Sequence, residues 1–370
     1  MKTLLSTLLL LVVSVFACEG RSPDLPSRTE TRALMVKVNE WQKAHPLVPA
    51  DDRDWIRATW YTGVMAAWKS TRDPRFLNQA IAWGKQHDWQ VGREAAGANR
   101  LFCSETWIEA YLEKKDRRMI EPTVRWLDTK APNSPAGASH WFAGEPGWFP
   151  GGTSNFDYVD SLYGSPALAM LAKATGNARY LDVMDSFFSE LTAELLDKES
   201  GLYFRDHRFI GKTTARGRKV LWSRGNGWAF AGIARILEYM PANDPRRARY
   251  VGIFRRMASE LVRRQGADGF WRPNLDDAED VKTPETSGSA FFCFGLAWGI
   301  NQGVLDRGKF LPTVTKSWAA LERSITPEGR VRWGQLVGDQ PVTIGEADTH
   351  EYVTGTVLLA AAEIYRLAGE

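Results

Sequence analysis

Few side chains in this chain combine a proton-active group with surroundings that would make it work. Asp160, in "NFDYVDSLYGSP", lies between Tyr158 and Tyr163 at the start of an apolar run. A carboxyl group pressed into aromatic surroundings has its pKa raised by desolvation, which suits a general acid. A first-turn aspartate favoured by the helix dipole is the competing reading, and Asp157 is the better cap candidate. A second cluster stands in "KVLWSRGNGWAF", where Trp222, Arg224, Asn226 and Trp228 mark the change from a polar loop to an apolar helix. Arg224 can hold a carboxylate in a planar, bidentate way, and the two Trp faces can stack on a sugar ring or pack into a core. "GLYFRDHRF" adds Arg205 and His207. His140 lies in a Gly/Pro/Trp-rich stretch, and His350 precedes the last apolar segment. A lone histidine is weak evidence for either role. Glu105, Glu145, Glu285 and Glu351 could partner Asp160 in a two-carboxylate glycosidase.

Other chemistries lack their signatures. The chain has no HExxH, no tight His/Cys cluster and no GxSxG elbow, and "GGTSN" is a turn rather than a phosphate loop. No transition-metal site is expected from these residues. The 47 basic and 44 acidic residues give a net charge of +3 with no basic stripe, which argues against nucleic acid as a partner. The 16 Trp, 17 Phe and 10 Tyr depart from ordinary composition, and many Trp sit beside Gly, Pro, Asn or Arg; large helical cores also use Trp, but the set favours a binding cleft.

The elements that position these groups are helices. Apolar residues recur at helical spacing near 30–46, 54–70, 74–88, 102–115, 119–128, 157–175, 178–196, 226–240, 245–264, 288–302, 308–324 and 350–368. No long stretch alternates with period two. Similar phrases open successive helices: "STRDPRFLNQAI", "EKKDRRMIEPTV", "ATGNARYLDVMD", "PANDPRRARYVG", "NQGVLDRGKFLPTV". A second phrase, "SGLYFRD", "DGFWRP", "EGRVRW", reads as short extended rim segments. Six helical hairpins with a repeated phrase predict an all-α fold, an (α/α)6 barrel. The loops entering the inner helices then converge on one mouth. They bring "DDRDWIRATWY" with Tyr61, "GANRLFCSETW" with Asn99, "SNFDYVDSLYG" with Tyr163, "WSRGNGW", "ETSGSAF" with Ser287 and "DTHEYVTG" around one cleft.

The N-terminus, "MKTLLSTLLLLVVSVFAC", reads as a secretory signal over residues 1–17. Val15-Phe16-Ala17-Cys18 also approximates a bacterial lipobox, with Phe16 as its poor fit and Cys18 as the lipid acceptor. Residues 18–29 then form a linker and 30–370 the barrel, exported to the periplasm or tethered to the outer membrane of a bacterium. Cys103 and Cys293 fall in apolar helical patterns, as buried thiols or a disulfide pair.

The stretches "DSLYGSPALAMLAKATGNARYLD", "GLYFRD", "WSRGNGWAFAGIARILEYMP", "PETSGSAFFCFGLAWGINQG" and "EYVTGTVLLAAAEIYRLAG" resemble glycoside hydrolase family 105, the unsaturated rhamnogalacturonyl hydrolases, and its relative family 88, the unsaturated glucuronyl hydrolases. The likeness runs from about residue 50 to the C-terminus. It implies an (α/α)6 barrel without cofactor. It also implies a substrate left by polysaccharide lyases: an oligosaccharide ending in a 4,5-unsaturated uronic acid. In such families an Asp protonates C4 and water adds at C5. The resemblance places that Asp at Asp160, the uronate-binding Arg and a stacking Trp at Arg224 and Trp228, and a rim residue, often His in relatives, at Arg205. It departs from the pattern where relatives carry an Asp-Asp pair, since this chain has Asn99 and Arg100, with Glu105 as a possible substitute. Gly164 stands where relatives commonly have Met, implying a larger pocket. A conventional glycosidase on saturated sugars and a non-catalytic carbohydrate-binding protein remain as alternatives.

Overall fold

A computed structural model describes residues 25–47, 52–93, 97–130 and 158–368. The leader with Cys18, the stretch with His140 and Glu145, and Asp157 lie outside these residues. Among the described residues are twelve α-helices: α1 Arg28–Ala44, α2 Trp55–Thr71, α3 Pro74–Gln86, α4 Gly97–Lys114, α5 Glu121–Lys130, α6 Pro166–Thr175, α7 Arg179–Leu195, α8 Ser223–Tyr239, α9 Arg247–Arg264, α10 Thr286–Asn301, α11 Arg307–Ser324 and α12 Glu351–Leu367. The even-numbered helices contact one another in ring order, α2–α4–α6–α8–α10–α12 and back to α2. The odd-numbered helices lie outside them, giving the (α/α)6 barrel.

The two rings differ in how they bury residues. Outer helix α9 buries one stripe, Tyr250, Phe254, Met257, Ala258 and Leu261, at the spacing of a helix with one wet face. Inner helix α10 is buried from Thr286 to Ile300, as an element surrounded on all sides must be. The ring closes where α2 meets α12 backbone to backbone. A Cβ on Gly63 would lie 2.3 Å from the Gly355 carbonyl oxygen, and one on Gly355 would lie 2.2 Å from the Thr59 oxygen. The three rim phrases make isolated bridges, Leu196 to Tyr203, Trp271 to Glu285 and Ile325 to Val331, rather than a sheet. Asp306, Asp73 and Ser27 cap α11, α3 and α1 through their side chains, as the turn phrases predict for the aspartates.

The predicted helix over 157–175 is broken. Residues Val159–Tyr163 form a 3-10 turn, and α6 starts at Pro166. Pro166 has no N–H for the Leu162 carbonyl, so the helical ladder cannot run through. That carbonyl instead rests on Gly232 of α8, where a Cβ would lie 2.4 Å away. Asp160 therefore sits on a turn packed against α8. Gly164 also departs from expectation. A Cβ there would lie 2.8 Å from the Ala98 oxygen, so this glycine lets the turn abut α4 rather than enlarging a pocket. Cys103 and Cys293 are both buried, and Cys293 is a free thiol.

Ionic side chains fill the barrel interior. Arg235 donates to Glu105 at 2.8 Å and lies 3.7 Å from Glu109. Lys69 bridges Glu109 at 2.7 Å and Glu238 at 2.9 Å. Glu105 is therefore part of the core, not a substitute base in a cleft. Burial pushes its carboxyl up to about 8, against the pull of Arg235. A folded-state pKa above the unfolded value means the native state binds the extra proton, so this contribution to stability falls as pH rises from about 4.5 to 8. We expect Glu105→Gln to flatten the decline of melting temperature between pH 5 and pH 8. An unchanged slope would show that Glu105 titrates normally.

Candidate active site

At the mouth of the inner ring lies a cavity of about 320 Å3. Trp228, on the first turns of α8, forms part of its wall, backed by Tyr163 at 4.7 Å and Phe291 at 4.6 Å between ring centroids. Phe102 of α4 and Trp55 of α2 meet Trp228 edge-on, at 5.9 and 6.0 Å, and also line the space. Edge-to-face packing fixes these rings, leaving rigid apolar faces toward the cavity.

Asp160 enters from the 3-10 turn. The turn is tethered to the rim segment that follows α7, because the Val159 N–H donates to the Arg205 carbonyl at 2.8 Å. The Arg205 guanidinium lies 4.4 Å over the Tyr158 ring and reaches Asp160 Oδ2 at 3.4 Å. The other oxygen, Oδ1, is buried and has no hydrogen-bond partner among the described residues. Burial raises the Asp160 carboxyl above its ordinary value. Arg205 and then Arg224 pull it back down, and Asp206 adds to the rise. The result is a carboxyl inclined to hold its proton, beside a cation that can accept the charge when the proton leaves.

Arg224 behaves differently from expectation. It is buried on the first turn of α8, and Nη1 donates to the Gln335 carbonyl at 2.6 Å and the Tyr352 hydroxyl at 2.6 Å. Nη2 donates to the carbonyls of Leu336 at 3.1 Å and Gly338 at 3.0 Å. Trp222 and Tyr352 cover its faces at 4.7 and 5.0 Å. The guanidinium edge is thus occupied by the 335–338 backbone, so no bidentate fork remains for a substrate carboxylate. Arg224 shapes the cavity by holding that segment in place, and Val337, Gly338 and Asp339 line the side it builds. Trp222 joins in, its indole N–H donating to Gln335 Oε1 at 3.0 Å.

Of the residues singled out from sequence, Asp160, Arg205, Arg224, Trp222, Trp228 and Asn99 line the cavity. Five do not. Asn226 accepts from the Tyr203 N–H at 2.8 Å and donates to the Tyr203 and Trp222 carbonyls, pinning the rim phrase to α8. Tyr61 stacks on Trp83 at 4.1 Å, turned toward the outer ring. Tyr163 stands behind Trp228, with its hydroxyl on Thr62. The Ser287 hydroxyl donates to Glu285, the α10 cap. His207 is half-exposed and pairs with Glu194 at 2.6 Å. In each case the residue lies on the predicted loop or helix but its side chain points elsewhere. His350 is an N-cap stacked on Tyr352, its pKa lowered by burial.

The carboxylates offered as partners for Asp160 are otherwise engaged. Glu285 caps α10, and Glu351 pairs with Arg57 and takes the Leu47 N–H at 2.8 Å. Among the described residues, only Asp339 joins Asp160 as a cavity-lining carboxylate, and sequence reasoning missed it. Its segment has no periodicity; a lone acid in the Gly-rich "GQLVGDQ" before α12 was the available sign.

The Asn-Arg departure resolves into two unequal positions. Both residues lie on α4. Asn99 lines the cavity, whereas the Arg100 guanidinium lies 5.9 Å over Trp126 of α5. We expect Asn99→Ala to lower kcat/KM about tenfold, one hydrogen bond's worth, and Arg100→Ala to stay within twofold. Equal losses in the two variants would contradict this placement.

The sequence model described as Glycosyl Hydrolase Family 88 matches residues 27–368. The chain is 34% identical over 372 residues to an unsaturated 3S-rhamnoglycuronyl hydrolase of Formosa agariphila, covering 98% of this chain and 97% of that one. Among solved structures, a family 88 glycosyl hydrolase from Bacteroides vulgatus superposes with a TM-score of 0.81 at 27% identity, covering 92% of this chain and 99% of that one. A possible member of glycoside hydrolase family 105 from Salmonella enterica shares the fold, with a TM-score of 0.75 at 20% identity over 97% of this chain and 100% of that one. Barrel, cavity and sequence agree, and the chain belongs to Glycosyl Hydrolase Family 88.

Proposed function

We propose that this protein hydrolyses oligosaccharides ending in a 4,5-unsaturated uronic acid, by hydrating the C4=C5 bond. The observation that carries this reading is the Asp160 carboxyl, buried with a raised pKa, beside Arg205 in an aromatic-walled cavity. Asp160 gives its proton to C4, and the positive charge that develops at C5 and the ring oxygen is met by water. The carboxylate takes a proton from that water as its oxygen bonds to C5. The hemiketal opens by breaking the bond from C5 to the ring oxygen, leaving a ketone at C5 and a hemiacetal at C1 that releases the next sugar. Trp228 and Trp55 offer faces to the flattened ring, and Asn99 a polar side chain. Arg205 serves the uronate carboxylate better than Arg224, because only its Nη1 is firmly engaged, by Asp206, whereas both Nη groups of Arg224 are taken by the 335–338 backbone. Rhamnose is the sugar we assign after the uronate, supported by the name of the Formosa relative.

Loss of the enol-ether ultraviolet absorbance from lyase-generated rhamnose-containing disaccharides tests the reading. Cleavage of saturated glycosides instead would favour the conventional mechanism, and tight binding without turnover a carbohydrate-binding role. We also propose export, with a lipid on Cys18, supported by the apolar run ending in Ala17-Cys18. Cells expressing the full chain are expected to incorporate labelled palmitate into it, and Cys18→Ser to abolish the label. Equal labelling of both would remove the anchor from this proposal.

A further inference from the structure

Asp206 is nearly inaccessible to solvent and takes hydrogen bonds from two arginines, one of which reaches Asp160. Its carboxylate takes Arg205 Nη1 at 2.8 Å on one side. On the other it takes the Arg208 N–H at 2.9 Å, Nε at 3.0 Å and Nη2 at 2.7 Å. Arg208 Nη2 also reaches Asp339 Oδ2 at 2.7 Å. The five side chains form one chain of alternating charge: Asp160, Arg205, Asp206, Arg208, Asp339. It starts at the proton donor and ends on the cavity side built by residues 337–339. Arg205 needs such a fixture. Tyr158 covers one face of its guanidinium without fixing rotation in the plane, and Asp160 takes it only at 3.4 Å.

The structure assigns Asp206 the role of positioning residue. It holds Arg205 at the angle that presents Nη2 to Asp160, and through Arg208 it holds Asp339 on the cavity side. This rests on the proposed function for the meaning of Arg205. Asp206 touches no substrate and acts through Arg205 and Arg208.

The test is a double-mutant cycle on the full barrel, read with an unsaturated disaccharide that the unmodified enzyme consumes. Asp206→Asn is expected to lower kcat on the order of 10²-fold, as misplacement of a reacting group by about 1 Å does, with KM changing much less. Asp206→Glu is expected to restore at least a tenth of the activity. Combining Asp206→Asn with Arg205→Ala is expected to be no slower than Arg205→Ala alone, because Asp206 acts through that residue. Asp339→Asn, which cuts the outer link only, is expected to act more on KM than on kcat. Strictly additive losses, or an Asp206→Asn enzyme within twofold of the original, would overturn the assignment. If Asp206→Asn fails to fold, the same cycle with Asp206→Ser decides it, since a hydroxyl keeps the cap on the Arg208 N–H but loses the ion pair with Arg205. A second readout needs no turnover: the Arg205 Nε–H proton, identified by its loss in Arg205→Lys, should give a sharp nitrogen-correlated signal that broadens in Asp206→Asn. An unchanged signal refutes the positioning role. A sharp signal that broadens, in a protein that consumes no unsaturated sugar, supports that role and removes the proposed function instead.

Discussion

Asp160→Asn is expected to lower turnover of the unsaturated substrate about a thousandfold or more while leaving the melting temperature within a few degrees. The amide is nearly isosteric and can still sit opposite Arg205, but it has no proton to give to C4, and a positioned general acid accounts for roughly 10² to 10⁴ in rate. The amide carries no charge that burial would penalise, so stability should hold or rise slightly. Steady-state kinetics with thermal melts on the same preparation separate the two effects. Retention of a tenth of the activity would remove Asp160 from the centre of the mechanism.

The second large effect is expected at Arg224. Arg224→Ala withdraws donors from the Gln335, Leu336 and Gly338 carbonyls and from the Tyr352 hydroxyl. Tyr352 can keep its own bond to Gln335, but the remaining carbonyls must find water. We expect a loss of about 3 kcal/mol in stability, since each buried group left unpaired costs 1–3 kcal/mol, and roughly a hundredfold in kcat/KM as the 335–339 segment shifts. Limited proteolysis should then cut within 335–342 in the variant before it cuts elsewhere. A variant with poor substrate binding, intact stability and no new cleavage would instead show that Arg224 meets the substrate directly.

These two residues mark what could be read from the chain. Helices were legible because burial on one or all faces leaves a period near 3.6, and Asp160 stood out as a carboxyl between tyrosines. The chemistry of Arg224 was not legible. Its partners are backbone carbonyls more than a hundred residues away, and a carbonyl leaves no trace in residue type. Tyr61, Tyr163 and Ser287 were placed on the right loops, but whether a side chain faces the axis depends on the rotation of each helix against its neighbours. Close backbone approaches such as Gly63 against Gly355 set that rotation. Asn99 and Arg100 are neighbours in sequence yet face the cavity and α5, because successive residues on a helix point about 100° apart. Asp339 was hidden because it lies in an aperiodic segment and pairs with Arg208, far away in sequence.

The central claim is that the enzyme adds water across C4=C5 rather than attacking the anomeric carbon. Proton magnetic resonance of the reaction run in deuterium oxide tests it most directly. The account predicts that the vinylic proton signal vanishes in step with release of the next sugar, and that the product carries one deuterium on a single face of C4. A first product that keeps its vinylic proton, or deuterium spread over both faces of C4 after the glycosidic bond is already cut, would contradict it.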